Sequence, residues 1–177
     1  MSSALLLCLI VGVSDGDTLT ARCPTSDALH PHQQLKIRLA EIDAPELGQP
    51  FGRRAKQQLS DLCYQVEAVI RPTTTDRYGR TVARVECRGI DANLAMVKTG
   101  MAWAYTKYQT DPEFPRAELS ARAARVGMFT GGDAQTPWDF RHSAQPFVAV
   151  ADPTGCYTGP KGGRYRLMQD GSKRYGC

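Results

Sequence analysis

The sequence predicts a mainly β fold with some α structure (α+β), built as a small Greek-key barrel with helices packed on it. Five segments of the 177-residue chain have strand patterning, and helical spacing occurs once between the third and fourth strands and twice after the fifth. Most connections between consecutive strands are too short for parallel crossovers. This order favours a barrel over a parallel α/β sheet.

The first two strands are predicted to form a hairpin over residues 5–22. The runs LLLCLIVGV and TLTAR flank residues 14–17, whose Asp-Gly pair is a strong tight-turn signal. Cys8 and Cys23 are equally far from the centre of this turn, so they would face each other in a regular hairpin. The alternative is that they are free, buried cysteines.

The third strand is predicted over residues 34–42, where apolar and polar residues alternate. This alternation puts Arg38 on the face opposite to Ile37 and Leu39. The remaining elements are a helix over residues 51–63, strands over residues 65–71 and 81–87, a helix from the N-cap Asp91 to Gly100, and a helix over residues 113–126.

The chain is predicted to contain a compact domain (residues 1–141), a linker (142–154) and a small basic tail bounded by cysteines (155–177). The net charge is +4, and the tail carries five basic residues against Asp170. The rest of the chain therefore sums to about zero, and charge indicates a nucleic-acid partner only for the tail. A tail that merely improves solubility is the alternative.

Six scattered cysteines without zinc-site spacing indicate disulfides and an oxidising compartment. Residues 4–13 resemble the apolar core of a signal peptide, but they lack a basic flank and a cleavage motif and are too short to span a membrane. Most of this segment is interpreted as strand. We expect a secreted or periplasmic monomer with no stable membrane association.

Four polar clusters fall at strand ends. They contain Asp15 and Asp17, then Arg38, then Asp43 and Glu46, and finally Arg80. Each alone has a structural explanation as a turn, a cap or a solvated charge. Together they supply what phosphodiester hydrolysis requires, namely cations at the phosphate, a positioned water and a carboxylate to accept its proton. The oxygen-rich set favours Ca²⁺ over zinc.

Four stretches, VSDGDTL, IRLAEIDAPE, DRYGRTVARV and GMAWAY, have the order and compatible spacing of the staphylococcal nuclease (thermonuclease) family. The chain resembles that family over about residues 9–141. The resemblance implies a five-stranded OB-fold Greek-key barrel with three helices. It also implies a Ca²⁺-dependent endonuclease that cleaves DNA and RNA and leaves 3′-phosphates.

The resemblance also implies residue roles. Asp17 and Asp43 would be the calcium carboxylates, with the backbone carbonyl of Ala44 as a further ligand. Glu46 would orient or deprotonate the attacking water, and Arg38 and Arg80 would hold the scissile phosphate. The residues expected to contact the nucleotide are Arg77, Tyr78 and one of Tyr105 or Tyr108.

The other cysteines and the tail complete the prediction. Cys63 and Cys87 lie at neighbouring ends of the fourth and fifth strands, so a disulfide between them is reasonable, and Cys156 and Cys177 would close the tail. The tail resembles short basic adaptor segments. Their basic residues suit attraction to phosphates and their tyrosines suit stacking on nucleobases. A disordered tail is the alternative.

For the whole chain, the alternative to an enzyme is a catalytically inactive barrel that binds nucleic acid.

Overall fold

The computed structural model describes residues 5–132, 134–143, 151–152, 154–158, 163–168 and 172–177. The chain divides into two compact units, Met1–Trp138 and Asp139–Cys177. The larger unit contains the barrel and the smaller unit contains a three-stranded sheet.

The larger unit is built on five long strands that close into a barrel. Its strands are β1 (Leu6–Asp15), β2 (Thr18–Pro24), β3 (His32–Leu39), β4 (Ile42–Asp43), β5 (Glu67–Thr75), β6 (Thr81–Cys87), β7 (Ile90–Asp91) and β8 (Trp103–Ala104). The main sheet has the order β3-β2-β1-β5-β6-β7, and β3 also pairs with β6 in parallel. That last pairing closes the barrel and confirms the predicted five-stranded fold.

Four α-helices occur in the described residues: α1 (Gly52–Cys63), α2 (Ala92–Lys98), α3 (Glu113–Ala123) and α4 (Pro137–Ser143). The first three lie where the sequence predicts them, and Asp91 caps α2 by accepting a hydrogen bond from the Leu94 backbone N–H (2.9 Å). The helix α4 was not predicted, because seven residues are too few to show helical periodicity. The helix α3 ends earlier than expected, and Arg125 beyond it is left-handed (φ 51°).

The barrel interior is apolar, and its alternation follows the sequence. In β3, Ile37 and Leu39 are buried, whereas Arg38 lies on the opposite face. Trp103 and Phe129 form a second buried cluster with edge-to-face rings 5.1 Å apart, as expected of core residues. Other fully buried core side chains are Ile10, Leu19, Leu59, Ile70, Val85 and Phe114.

The six cysteines form the three expected pairs. Cys8 is joined to Cys23 across the β1–β2 hairpin, and Cys63 at the end of α1 is joined to Cys87 at the end of β6. In the smaller unit, Cys156 is joined to Cys177. Loops of this size correspond to roughly 3 kcal/mol of stabilisation each in the chain-entropy model. None of the described helices combines the length and apolar character that a membrane span needs.

Candidate active site

The turn between β1 and β2 lies directly against the segment that follows β4. A Cβ atom placed on Gly16 would be only 2.7 Å from the Cβ atoms of Ala44 and Ala55. Glycine is therefore needed here for close approach, in addition to its preference for tight turns. This contact holds Asp17 next to the Asp43–Ala44 step and against α1.

Asp17 and Asp43 are both buried, with 6% and 2% of their surface exposed. Asp17 accepts hydrogen bonds from the Ala44 backbone N–H (2.8 Å) and from the Thr18 hydroxyl (3.1 Å). The guanidinium of Arg38 lies between the two carboxylates: its Nη1 is 2.9 Å from Asp17 Oδ2 and its Nη2 is 2.9 Å from Asp43 Oδ1. The structure thus brings four predicted site residues together.

Arg38 is oriented by the backbone as well. It donates to the carbonyl oxygens of Leu39 (3.2 Å) and Ile42 (3.0 Å), and 15% of its side chain is exposed. Two carboxylates around one guanidinium leave the cluster with a net charge of about −1, buried and rich in hard oxygen donors. Such a donor set fits Ca²⁺, although the described residues contain no cluster of three or more His, Cys, Asp or Glu.

Asp15 shapes the turn that carries Asp17. Its Oδ1 accepts a hydrogen bond from the Asp17 backbone N–H (3.1 Å). Burial, and secondarily the neighbouring charge of Asp17, raise the pKa of Asp15 to about 6. These contacts give Asp15 a part in the geometry of the turn and in its local charge.

Glu46 follows Pro45 and its backbone is held on both sides. The Gln49 side-chain oxygen accepts from the Glu46 N–H (3.0 Å), and the Gln49 N–H donates to the Glu46 carbonyl (2.8 Å). A Cβ atom on Gly52 would lie 1.9 Å from that carbonyl, so only glycine fits. Gln49 is buried and also donates to the carbonyl of Gln135 (2.7 Å).

Gln49 and Gly52 were not predicted as site residues. An isolated glutamine and a glycine at a helix start carry no periodicity that would distinguish them from surface residues. Their importance depends on which backbone group faces them, and that is decided by the packing of α1 against the Glu46 segment.

Arg80 belongs to a second cluster, in the loop ahead of β6. Asp76 accepts from the Arg80 Nε (2.7 Å) and backbone N–H (3.0 Å), and from the Tyr78 N–H (2.9 Å). Burial acts to raise the pKa of Asp76, but these hydrogen bonds from Arg80 and Tyr78 prevail and lower it. The guanidinium groups of Arg77 and Arg80 lie 4.8 and 5.5 Å from the centre of the Tyr78 ring.

Barrel closure connects this loop to the strand of Arg38. The residues that follow Arg80 pair in parallel with Ile37–Leu39, with Arg38 opposite Val82. Arg80 therefore emerges from the strand that lies beside Arg38, at the start of that pairing. Asp76, which anchors Arg80, is another residue that sequence reasoning did not assign.

Tyr105 precedes a short 3₁₀ turn (Thr106–Tyr108) after β8, and Tyr108 is the last residue of that turn. Tyr105 is half-buried, and its ring stacks on that of Trp138 with the centroids 5.5 Å apart. The contact of Tyr105 with the nucleotide remains a prediction. The side chain of Tyr108 lies outside the described residues.

Glu41 anchors the same segment to the barrel. Its backbone carbonyl accepts from the Tyr105 N–H (2.8 Å), and its Oε1 accepts from the Thr110 backbone N–H (2.8 Å), the Thr110 hydroxyl and the Asp111 N–H (3.3 Å). Glu41 is left-handed (φ 64°), a conformation that glycine adopts more easily. Sequence reasoning missed Glu41, because a charged residue in an alternating strand predicts only a solvent-facing position.

Comparisons with known proteins agree with this geometry. A family model described as staphylococcal nuclease homologue matches residues 36–130, a segment that includes Arg38, Asp43, Glu46 and Arg80. An uncharacterized endonuclease of Haemophilus influenzae is 43% identical over 134 residues, covering 76% of this chain and 72% of the relative. A micrococcal nuclease of Shigella flexneri is 38% identical over 147 residues (77% and 80% covered), and Protein ParB of Escherichia coli is 37% identical over 146 residues (76% and 78% covered).

Proposed function

As a member of the staphylococcal nuclease family, the chain is a nuclease, and we propose that it uses Ca²⁺ to hydrolyse DNA and RNA to 3′-phosphate products. The observation that carries this proposal is the pair of buried carboxylates, Asp17 and Asp43, joined by one guanidinium. A buried cluster of this kind costs stability unless its charges are compensated. Its presence in the fold favours a functional role.

The carboxylates of Asp17 and Asp43 and the backbone carbonyl of Ala44 would hold the Ca²⁺. When bound, the ion would polarise the phosphoryl oxygen and offset the charge that develops on it. Arg38 contributes a planar, permanently charged donor at the same place, and Arg80 contributes a second one from the loop before β6. Their hydrogen bonds to the phosphate oxygens strengthen as the phosphorus becomes five-coordinate.

Glu46 acts as the general base. It accepts a proton from the attacking water as the new P–O bond forms, and the bond from phosphorus to the 5′-oxygen breaks. The phosphate stays on the 3′-oxygen, and the departing 5′-oxygen takes a proton from solvent. The hydrogen bonds to Gln49 and the close contact with Gly52 hold the Glu46 backbone, which reduces the motion of the base.

The first experiment is cleavage of single-stranded DNA by the full chain in Ca²⁺ and in EDTA, with analysis of the product ends. We expect cleavage only in Ca²⁺ and 3′-phosphate ends. Glu46→Gln should lower kcat by several orders of magnitude, since general-base catalysis and the orientation of the attacking water by the carboxylate are both lost (each about 10²-fold or more). Glu67→Gln, the same change at an exposed position of β5, is the matched control and should retain full activity.

Two results would contradict the proposal. Near-normal activity of Glu46→Gln would remove Glu46 from the mechanism. Binding of DNA without cleavage, by well-folded protein in Ca²⁺, would replace the enzyme with a nucleic-acid-binding barrel.

The proposal extends to the environment of the protein. We propose a secreted or periplasmic monomer without stable membrane association. Three cysteine pairs, two of them within the barrel unit, suit an oxidising compartment. Thiol titration of protein from an oxidising compartment should find no free thiol before reduction. Six titratable thiols in active protein would argue against this location.

A further inference from the structure

The smaller unit contains a three-stranded antiparallel sheet whose two faces differ in chemistry. Its strands are β9 (Tyr157–Thr158), β10 (Arg164–Leu167) and β11 (Lys173–Tyr175), with β10 in the centre. Tyr165 is opposite both Tyr157 and Tyr175, and Arg166 is opposite Arg174. Since side chains alternate along a strand, tyrosines occupy one face and arginines the other.

The tyrosine face forms the hydrophobic centre of this small unit. The ring of Tyr165 stacks on Tyr157 (centroids 5.6 Å apart) and lies 5.8 Å from Tyr175. The Lys173 ammonium covers Tyr165 at 4.7 Å, and only 4% of Tyr165 is exposed. The central tyrosine is therefore committed to packing within the sheet.

The opposite face places two like charges directly across from each other. Arg166 and Arg174 are exposed and form a cross-strand pair, an arrangement that normally destabilises a sheet. Arg164, on the same face, is neutralised by Asp152. Within the described part of the chain, Arg166 donates only to the Thr154 carbonyl (3.4 Å), and neither Arg166 nor Arg174 forms an ion pair there.

An anion between these two arginines would remove their repulsion and give each a charge-assisted partner. Guanidinium groups bind phosphate oxygens through parallel hydrogen bonds. A three-residue strand in a disulfide-closed unit offers little apolar surface, so an electrostatic ligand suits this face better than a hydrophobic one.

We propose that the face formed by Arg166 and Arg174 is a second nucleic-acid-binding site, which holds backbone phosphates without reading bases. The nuclease function of the chain is the reason for choosing nucleic acid among polyanions. The site itself stands on the sheet register and charge, so it is testable whether or not the barrel cleaves by the proposed mechanism.

The test uses the full chain with Glu46→Gln in EDTA, so that binding is measured without cleavage. The probe is fluorescent single-stranded DNA of about 20 nucleotides, longer than one OB-fold site, titrated at several salt concentrations. Arg174→Gln should lower the slope of log K against log salt by about 0.7, and Arg166→Gln with Arg174→Gln by about 1.4. Arg174→Lys should retain the wild-type slope.

Lys173→Gln is the matched control, because it removes the same charge from the adjacent residue on the tyrosine face. Its slope should equal that of the parent. Thiol titration before and after denaturation would establish that the Cys156–Cys177 pair is intact in each variant, so that a lost slope is not a lost fold.

Three results would overturn the proposal. Equal losses for Lys173→Gln and Arg174→Gln would show that only overall charge matters. An unchanged slope in the double variant would show that the arginine face does not contact the backbone. If the double variant loses binding to phosphatidylglycerol vesicles but keeps the DNA binding of its parent, the arginine face would be assigned to a membrane surface. Residual cleavage by Glu46→Gln in Ca²⁺ would contradict the proposed mechanism of the barrel but not the proposed binding site on the arginine face.

Discussion

Arg38 and Arg80 belong to one barrel but are held in different ways. Arg38 has 15% of its side chain exposed and lies between two carboxylates from separate parts of the chain. Arg80 has 30% exposed, and its ion-pair partner, Asp76, lies four residues away in the same loop. The first arginine is positioned by the register of the sheet and the second by local hydrogen bonds. Removing the first should therefore disturb folding, whereas removing the second should disturb only function.

The largest expected effect is that of Arg38→Ala in EDTA. It leaves the buried carboxylates of Asp17 and Asp43 uncompensated, which should lower the free energy of unfolding by about 3–5 kcal/mol. Arg80→Ala breaks a partly exposed pair and should cost about 1 kcal/mol or less. Urea unfolding of both variants measures the difference, and both should lose most of their activity.

Added Ca²⁺ sharpens this test. If the carboxylates bind the ion, Ca²⁺ should recover part of the stability that Arg38→Ala loses, by mass action on the folded state. It should change the stability of Arg80→Ala no more than that of the parent chain. Equal stability losses for the two variants in EDTA would contradict the distinction between the two arginines.

The next largest effect concerns the Glu46 backbone. In Gly52→Ala the new Cβ atom would meet the Glu46 carbonyl at 1.9 Å, so the base must move. A displacement of about 1 Å should reduce kcat by about 10²-fold, and the overpacking should cost about 1–3 kcal/mol of stability. Gly48→Ala is the matched control, since a Cβ atom there meets nothing within 4 Å. Similar kcat values for the two variants would mean that Gly52 does not position the base.

The smallest effect is expected at Glu41, which ties residues 105–111 to the barrel. Glu41→Gly relieves a left-handed conformation but removes the hydrogen bonds to Thr110 and Asp111. We expect KM to rise several-fold, which corresponds to about 1 kcal/mol, the net contribution of a typical hydrogen bond. The kcat should stay within about twofold of the parent because the reacting groups are untouched. Glu41→Gln keeps an acceptor oxygen, so its KM should lie between those of the parent and Glu41→Gly. An unchanged KM in Glu41→Gly would mean that this segment does not contact the substrate.

Elements with strong local signals could be predicted. The alternation in β3 identified the face of Arg38, and Asp91 was recognisable as a helix cap. The symmetry of a hairpin, in which Leu9 is opposite Arg22, indicated the Cys8–Cys23 pair, and the structure decided for it over free, buried cysteines. The short helix α4 and the early end of α3 were not predictable in the same way, because neither changes the hydrophobic period.

The residues of the candidate site also divide into those that have a local signal in the sequence and those that have none. Its charged residues stand out in the sequence because they cluster at strand ends, and the family resemblance adds their expected roles. Gln49 and Gly52 hold Glu46, and Asp76 holds Arg80, through backbone groups or a single local partner. Glu41 anchors residues 105–111 in the same way. Such contacts leave no pattern of residue types, so sequence reasoning had no means of finding them.

By itself, the sequence determined the succession of the long strands and the first three helices along the chain, the faces that enter the core and the residue types available for phosphodiester chemistry. These features depend on local periodicity and composition. Only the tertiary structure decided that Asp17 and Asp43 share the guanidinium of Arg38, and that the tail separates its tyrosines from its arginines. Both outcomes depend on register between strands, where a shift of one residue moves every side chain to the other face. Register is set by the packing of the whole sheet.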